Sequence, residues 1–198
     1  MLKIAIVIGS TRPNRIGSTV AQWVYENAEK RTDRKQDCQF ELLDIRDFGL
    51  PLLDEPLPPA MGKYSKTHTK RWAEKIDTFD GFIFVTPEYN HGTSGALKNA
   101  IDFLFEEWNN KVAGFVGYGS SNGVRAVEHL RLVMAEVKVA TVRAQVGLSL
   151  FTDFNDMSEF TPAPRHMKSL EQLFDEVHLW GTALKEARSQ IPVEQKSA

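Results

Sequence analysis

Short apolar runs alternate along this chain with longer stretches in which apolar residues return every three or four positions. The runs are residues 2 to 8 (LKIAIVI), 38 to 45 (CQFELLDI), 81 to 86 (GFIFVT), 111 to 118 (KVAGFVGY) and 139 to 148 (VATVRAQVGL). Their length and β-branched content predict five strands. The first and third are almost unbroken in apolar character, as central strands covered on both faces must be. Between the runs, apolar residues fall at i, i+3, i+4 and i+7, the spacing that lines one face of a helix. Val20, Trp23, Val24 and Ala28 make the first such stripe, and Trp72, Ile76 and Phe79 the second. Leu97, Ala100, Ile101, Leu104 and Phe105 form a third, and Ala126, Leu130, Val133, Met134 and Val137 a fourth. The longest, Leu170, Leu173, Phe174, Val177, Trp180 and Leu184, should close the fold on one face. Each stripe reads as core, with no cofactor assigned to its aromatics. Strands alternating with helices are the pattern of βαβ units, so an α/β fold is predicted, with a five-stranded parallel sheet and helices on both faces.

Two segments break this rhythm: residues 46 to 64 (RDFGLPLLDEPLPPAMGKY), with four prolines, and residues 152 to 166 (TDFNDMSEFTPAPRH). Both carry Leu, Phe or Met that a solvated linker would lack, so they read as ordered excursions near a site or a subunit contact. Residues 1 to 191 are therefore expected to form a single domain, with residues 192 to 198 as a frayed tail. A chain of 198 residues buries about 70% of its unfolded surface and needs no covalent staple. Cys38 stands alone, which excludes an internal disulfide or a thiolate cage and suits a reducing compartment. Lys and Arg number 24 against 26 Asp and Glu, a formal net charge of -2. That balance creates no global field for nucleic acid or an anionic membrane, so any bound anion must be met by a local site. The opening MLKIAIVIGS is too short for a signal h-region, and no stretch approaches the roughly 18 apolar residues of a membrane span. The expectation is a cytoplasmic protein with neither a nucleic-acid nor a membrane partner.

In a doubly wound sheet, ligands sit beyond the carboxyl ends of the strands, where the strand order reverses. The loops after the first, third and fourth strands lie side by side if the order is 2-1-3-4-5. After the first strand comes Gly9-Ser10-Thr11-Arg12-Pro13-Asn14-Arg15-Ile16-Gly17-Ser18, which leads directly into a helix. Hydroxyls, backbone N–H groups, a helix N-terminus and two arginines are what a terminal phosphate dianion needs. The bland alternative is a solvated loop with Ser18 as helix cap. The G-x-G-x-x-G spacing of dinucleotide folds is missing, as is the Gly-Lys-Ser/Thr of a P-loop, so a monophosphate suits the loop better than a diphosphate bridge. After the third strand, Pro87-Glu88-Tyr89-Asn90-His91-Gly92-Thr93-Ser94-Gly95 offers backbone polar groups and a planar aromatic on which a flat heteroaromatic ring can lie, with Ser94 as cap of the next helix. His91 has no evident carboxylate partner and reads as inert. After the fourth strand, Gly119-Ser120-Ser121-Asn122-Gly123 is rich in residues that let backbone N–H groups face a ligand.

GSTRPNRIGS after the first strand and TPEYNHGTSGALKNAIDFL after the third together resemble the NADPH-dependent FMN reductase family of flavodoxin-like proteins. The resemblance runs from about residue 2 to residue 150, and the second motif is the more specific. It implies a flavodoxin-like fold with bound FMN, and NADPH or NADH as co-substrate. It assigns the FMN phosphate to Ser10, Arg12 and the Ser18 helix start, with Arg15 and Gly17 as helpers. Pro87, Glu88, Tyr89 and Asn90 inherit contacts to the isoalloxazine and ribityl groups, and Gly119, Ser120, Ser121 and Gly123 border the ring. The implied reaction is hydride transfer to the flavin and electron delivery to a flavin, quinone or azo acceptor. Because the flavin carries that chemistry, no catalytic side chain is named. The family also implies a homodimer or homotetramer, in which segment 46 to 64 and a helix around Trp108 would be buried.

Two other readings are open. Gly119-Ser120-Ser121-Asn122-Gly123 matches the G-x-S-x-G of serine hydrolases, with Asp153 or Asp156 and then His166 or His178 following Ser121 in the required order. That reading leaves Arg12 and Arg15 without a task. A flavodoxin-type carrier would bind FMN without turning over a nicotinamide, but such carriers are strongly acidic and this chain is not.

Overall fold

The computed structural model describes residues 1–31 and 37–191; the tail expected at 192 to 198 lies outside them. Five strands pair in parallel in the order β2-β1-β3-β4-β5: β1 (Leu2–Ile8), β2 (Cys38–Asp44), β3 (Gly81–Pro87), β4 (Val112–Gly119) and β5 (Ala140–Ser149). The expected order and the five expected runs are all present, with ends displaced by a residue. β3 and β4 are buried at every position, whereas β2, at the edge, alternates.

The pleat sends successive side chains to opposite faces, and this divides the core. Ala5 and Val7 of β1 point to one side with Phe82 and Phe84 of β3 and Phe115 of β4. There they meet α2 (Thr67–Asp77), α3 (Gly95–Asp102) and α4 (Val124–Glu136) through Trp72, Leu97, Ile101 and Leu130. Ile4, Ile6 and Ile8 point the other way, against α1 (Gly17–Glu29) and α5 (Arg165–Ser189) through Val20, Val24, Leu170, Leu173 and Phe174.

Three sequence expectations need amendment. The third stripe leaves the helix after Asp102: Leu104 is buried and Phe105 half-buried, but both lie beyond α3. Trp108 sits in a single 3-10 turn, not a helix, and it is consumed by the chain's own core, 1% exposed with its indole N–H donating to the Ile101 carbonyl at 3.1 Å. It therefore offers nothing to a second subunit. Trp180 of the last stripe is 44% exposed, because the inward position is taken by its neighbour Gly181. A Cβ at 181 would approach Leu2 to 3.1 Å and Val112 to 3.3 Å, so the helix lies too close to the sheet there for a larger side chain.

Both excursions are ordered. The first contains short 3-10 turns at Ile45–Phe48 and Pro59–Met61 and is tied to α3 by Asn99, which accepts from the Leu53 N–H and donates to the Pro51 carbonyl. The second folds into a two-stranded hairpin of β6 (Phe154–Asn155) and β7 (Glu159–Phe160), and Trp23 of α1 packs edge-on against Phe160 at 5.5 Å. Its hub is the fully buried Asp153, which accepts from the Ser149 and Ala163 amides and from His166 at 2.8 Å.

Candidate functional site

Beyond Ile8 the chain leaves the sheet into the first loop, and the adjacent strands β3 and β4 end beside it. The loop is held from beneath. Ser10 is 1% exposed; its hydroxyl lies 3.0 Å from the Tyr89 hydroxyl and accepts from the Arg12 N–H at 3.3 Å. Ser94 caps α3 by accepting from the Leu97 N–H and also donates to the Gly9 carbonyl, so one hydroxyl joins the first loop to the helix after β3.

The two arginines part company. Arg15 turns inward: its guanidinium donates to both carboxylate oxygens of Asp44 and to the Ser10 carbonyl, and the side chain is 5% exposed. Its charge is answered by Asp44, so its part is to brace the loop. Arg12 is exposed, with its guanidinium carbon 5.9 Å from the centre of the Tyr89 ring. Among the described residues no ion pair holds Arg12. Ser18 is not the cap of α1: the helix begins at Gly17 with Ile16 at the cap position, and the Ser18 hydroxyl reaches back to the Arg15 carbonyl at 3.4 Å. Among the described residues no side chain caps α1, and the Gly17 and Ser18 amides are left for an anion, those of Thr19 and Val20 donating to the Ile16 carbonyl.

The second loop is a tight hairpin. Tyr89 and Gly92 exchange backbone hydrogen bonds of 2.9 and 3.2 Å around Asn90 and His91, whose φ values of 49° and 74° are both left-handed. Two left-handed central residues are the requirement of a type I′ turn. The turn holds the Tyr89 ring beside the first loop. Glu88 faces away from the mouth: its carboxylate accepts from the Arg125 side chain and, at 3.0 Å, from the Arg125 N–H at the start of α4. Burial would raise this carboxyl, but the Arg125 contacts outweigh it and hold the group below the usual range. Only the backbone of Glu88 remains for a ligand. Arg125 also donates to His91 Nδ1 at 3.0 Å, so His91, expected to be inert, is a bridge between the second loop and α4.

The third loop turns at Asn122 and Gly123, with φ of 58° and 69°. A Cβ at Gly123 would lie 2.4 Å from the Tyr118 nitrogen, so glycine is required there twice over. Ser120 and Ser121 are exposed. Asp153 and His166 do pair, as the hydrolase order anticipated. Yet among the described residues no hydrogen bond joins Ser121 to a histidine, and Asp153 is spent on the hairpin.

Residues that sequence reasoning passed over are Asp44, Arg125 and Tyr118. Asp44 was signalled by register, since it pairs with Ile8 at the end of β2 and so must face the first loop once the order is 2-1-3. Arg125 carried no signal, because its partner Glu88 is 37 residues away. Tyr118 is the penultimate residue of β4, with its hydroxyl under the first residue of α1; it is 4% exposed, and that hydroxyl makes no hydrogen bond among the described residues. A Cβ at Gly17 would lie 2.5 Å from it. Burial, then Tyr89, push this phenol above the ordinary tyrosine range, against smaller opposite effects of Arg12, Arg15 and Ser10, so it stays protonated.

A cavity of about 310 Å³ opens beside the first loop between Thr11, Arg46, Leu50, Ala96 and Asn99. A larger one, about 600 Å³, lies at the opposite edge of the sheet against Asp80, Lys111 and Arg188. There Asp80 accepts from Lys185, Arg188 and the Lys3 N–H, an ion-pair network that ties the end of α5 to the sheet.

The sheet order and an anion-ready helix terminus at its carboxyl edge define a flavodoxin-like protein. FerB, a flavoenzyme NAD(P)H:(acceptor) oxidoreductase of Paracoccus denitrificans, shares the fold at a TM-score of 0.71 and 21% identity, covering 92% of this chain and 98% of its own. The chain belongs to the NADPH-dependent FMN reductase family, whose model matches residues 2–153. It is 41% identical to the NAD(P)H-dependent FMN reductase ntnL of Nectria sp over 168 residues, 79% of this chain and 82% of the relative. It is 36% identical to an NAD(P)H-dependent FMN reductase of Schizosaccharomyces pombe over 179 residues, 88% of each chain. It is accordingly an NAD(P)H-dependent flavin oxidoreductase, with FMN as cofactor. The unpartnered Tyr118 hydroxyl and the unsatisfied α1 amides both fit the phosphate of that cofactor.

Proposed function

We propose that the three loops hold FMN for hydride transfer from NADPH or NADH and for delivery of the electrons to a small planar acceptor such as a second flavin, a quinone or an azo compound. The observation that carries this reading is the convergence of an uncapped α1 N-terminus, an exposed Arg12 and the Tyr89 ring at one end of the sheet. FMN supplies the redox chemistry when bound. The chain supplies the rest. Arg12, the Gly17 and Ser18 amides and the helix terminus hold the phosphate, while Ser10 and Arg15 keep that loop in shape. Backbone groups of Pro87, Glu88, Tyr89 and Asn90 edge the ring and orient it, and Gly119, Ser120, Ser121 and Gly123 border its other side. With the redox chemistry supplied by the cofactor, the side chains here bind and orient, and none is assigned a proton transfer.

The same reading extends to assembly and location. Leu52, Leu53, Leu57 and Met61 lie exposed along the excursion tied to α3, and a second copy of the chain would bury them in a homodimer or homotetramer. Among the described residues no helix is long and apolar enough to cross a membrane; separately, a chain with a single cysteine suits a cytoplasmic enzyme. The test is direct. FMN at about a hundred times its Kd stabilises the native state by roughly 2.7 kcal/mol, which at this size raises Tm by about 5 to 10 °C. The FMN-loaded protein should oxidise NADPH or NADH when a quinone or free flavin is added. An unchanged Tm and spectrum at saturating FMN would refute the reading.

A further inference from the structure

Among the groups around the first loop, the Tyr118 hydroxyl is the one whose chemistry is left over. It is a protonated donor in the sheet face that carries α1. The Ser10 hydroxyl bonds to Tyr89 and the Arg12 amide and lies close enough to lower the phenol's pKa slightly, and Arg15 is held by Asp44, but neither makes a hydrogen bond with the phenol by geometry. Leaving a buried hydroxyl without a partner costs free energy. A phenylalanine would fill the same space without that cost.

Gly17 holds space open above this hydroxyl. Any side chain at the first residue of α1 would strike this hydroxyl, 2.5 Å from the Cβ position, before it met the rest of the ring at 3.2 Å. The glycine thus leaves the phenol oxygen facing the first turn of a 13-residue helix whose leading amides have no side-chain cap. A neutral donor aimed at a helix N-terminus competes for the same acceptor as the amides do, and the acceptor that suits several donors at once is an anion.

We propose that the Tyr118 hydroxyl is a direct ligand of the phosphate monoester held at the α1 N-terminus, donating a hydrogen bond from the sheet side while Arg12 reaches it from the solvent side. This rests on the assignment of the FMN phosphate to that terminus. It makes Tyr118 a specificity residue, one that distinguishes FMN from riboflavin without touching the ring.

The experiment is a titration of the full-length apoprotein, wild type and Tyr118→Phe, with FMN and with riboflavin, together with thermal melts of both proteins without flavin. Loss of one hydrogen bond to a charged group should weaken FMN binding by roughly ten-fold or more. Riboflavin binding should be unchanged, and the variant apoprotein should melt no lower than wild type. Equal losses for both flavins, or a lower melting temperature, would mean the hydroxyl shapes the fold and would overturn the proposal. Unchanged FMN binding in a protein that still prefers FMN over riboflavin would overturn this inference alone. A wild type with no preference for FMN over riboflavin would remove the phosphate assignment beneath it. Inorganic phosphate provides a second readout, since it should raise the melting temperature of wild-type apoprotein more than that of Tyr118→Phe.

Discussion

Arg12 and Arg15 stand three positions apart in one loop, and burial gives them different tasks. The exposed Arg12 is available to a phosphate, so Arg12→Ala should weaken FMN binding by about ten- to a hundredfold and leave riboflavin almost untouched. Arg12→Glu should be worse for FMN, because it adds repulsion to the lost contact; equal losses for both flavins would place Arg12 in the fold rather than on the phosphate. Removing Arg15 strands a half-buried Asp44 and frees the Ser10 carbonyl, so Arg15→Ala should cost stability on the order of 3 kcal/mol in urea unfolding and weaken both flavins together. The pair of arginines was legible in the sequence as a phosphate loop, but the division between them was not, since it is set by an aspartate 29 residues away. Lys111 shows the same dependence on the fold. Its ammonium donates to the Ile76 and Asp77 carbonyls at the end of α2, and burial pulls its pKa down to about 8. Between pH 8 and 10 the folded form has largely lost this proton while the unfolded chain, near 10.4, keeps it. The unfolded state therefore binds more protons, and stability rises with pH across that window. Lys111→Met should flatten the rise when urea midpoints are compared at pH 8 and pH 10.

At the level of elements, α5 illustrates how far a periodic stripe can be trusted. Leu170, Leu173, Phe174 and Val177 are buried as the spacing predicts, but one turn later the contact passes to Gly181 and Trp180 swings outward. Phe174→Ala should cost about 3 to 5 kcal/mol, whereas Trp180→Ala should cost under about 1 kcal/mol; comparable losses in urea unfolding would contradict this packing. A 3.6-residue period marks which face is apolar, but not how closely a helix approaches its sheet. That distance is fixed here by Leu2 and Val112, which no local pattern connects to Gly181. The hairpin at 89 to 92 is a second case: the loop was legible, yet the left-handed Asn90 and His91 were not, because neither is glycine and the turn is held by the bridge from His91 to Arg125 as well as by its own backbone.

Over the whole molecule, the exposed Leu52 and Leu57 bear on assembly. If a second copy covers them, Leu52→Glu with Leu57→Glu should shift the protein toward monomer in sedimentation velocity at micromolar concentration, with the far-ultraviolet circular dichroism unchanged; a monomeric wild type would remove this face from consideration. The sequence by itself determined the layered architecture, because unbroken apolar strands and one-sided helices have few ways to bury their surface. It also determined which three loops meet, because a parallel sheet in the order 2-1-3-4-5 delivers them to one edge. Only the tertiary structure decided what each loop residue does there. It sent Arg15 to Asp44, Glu88 to Arg125 and Trp108 into the core, and it set the Tyr118 hydroxyl beneath Gly17. The physical reason is range: hydrophobic periodicity is a local property of the chain, whereas the partner of a charge or a hydroxyl is chosen by contacts between segments far apart in sequence.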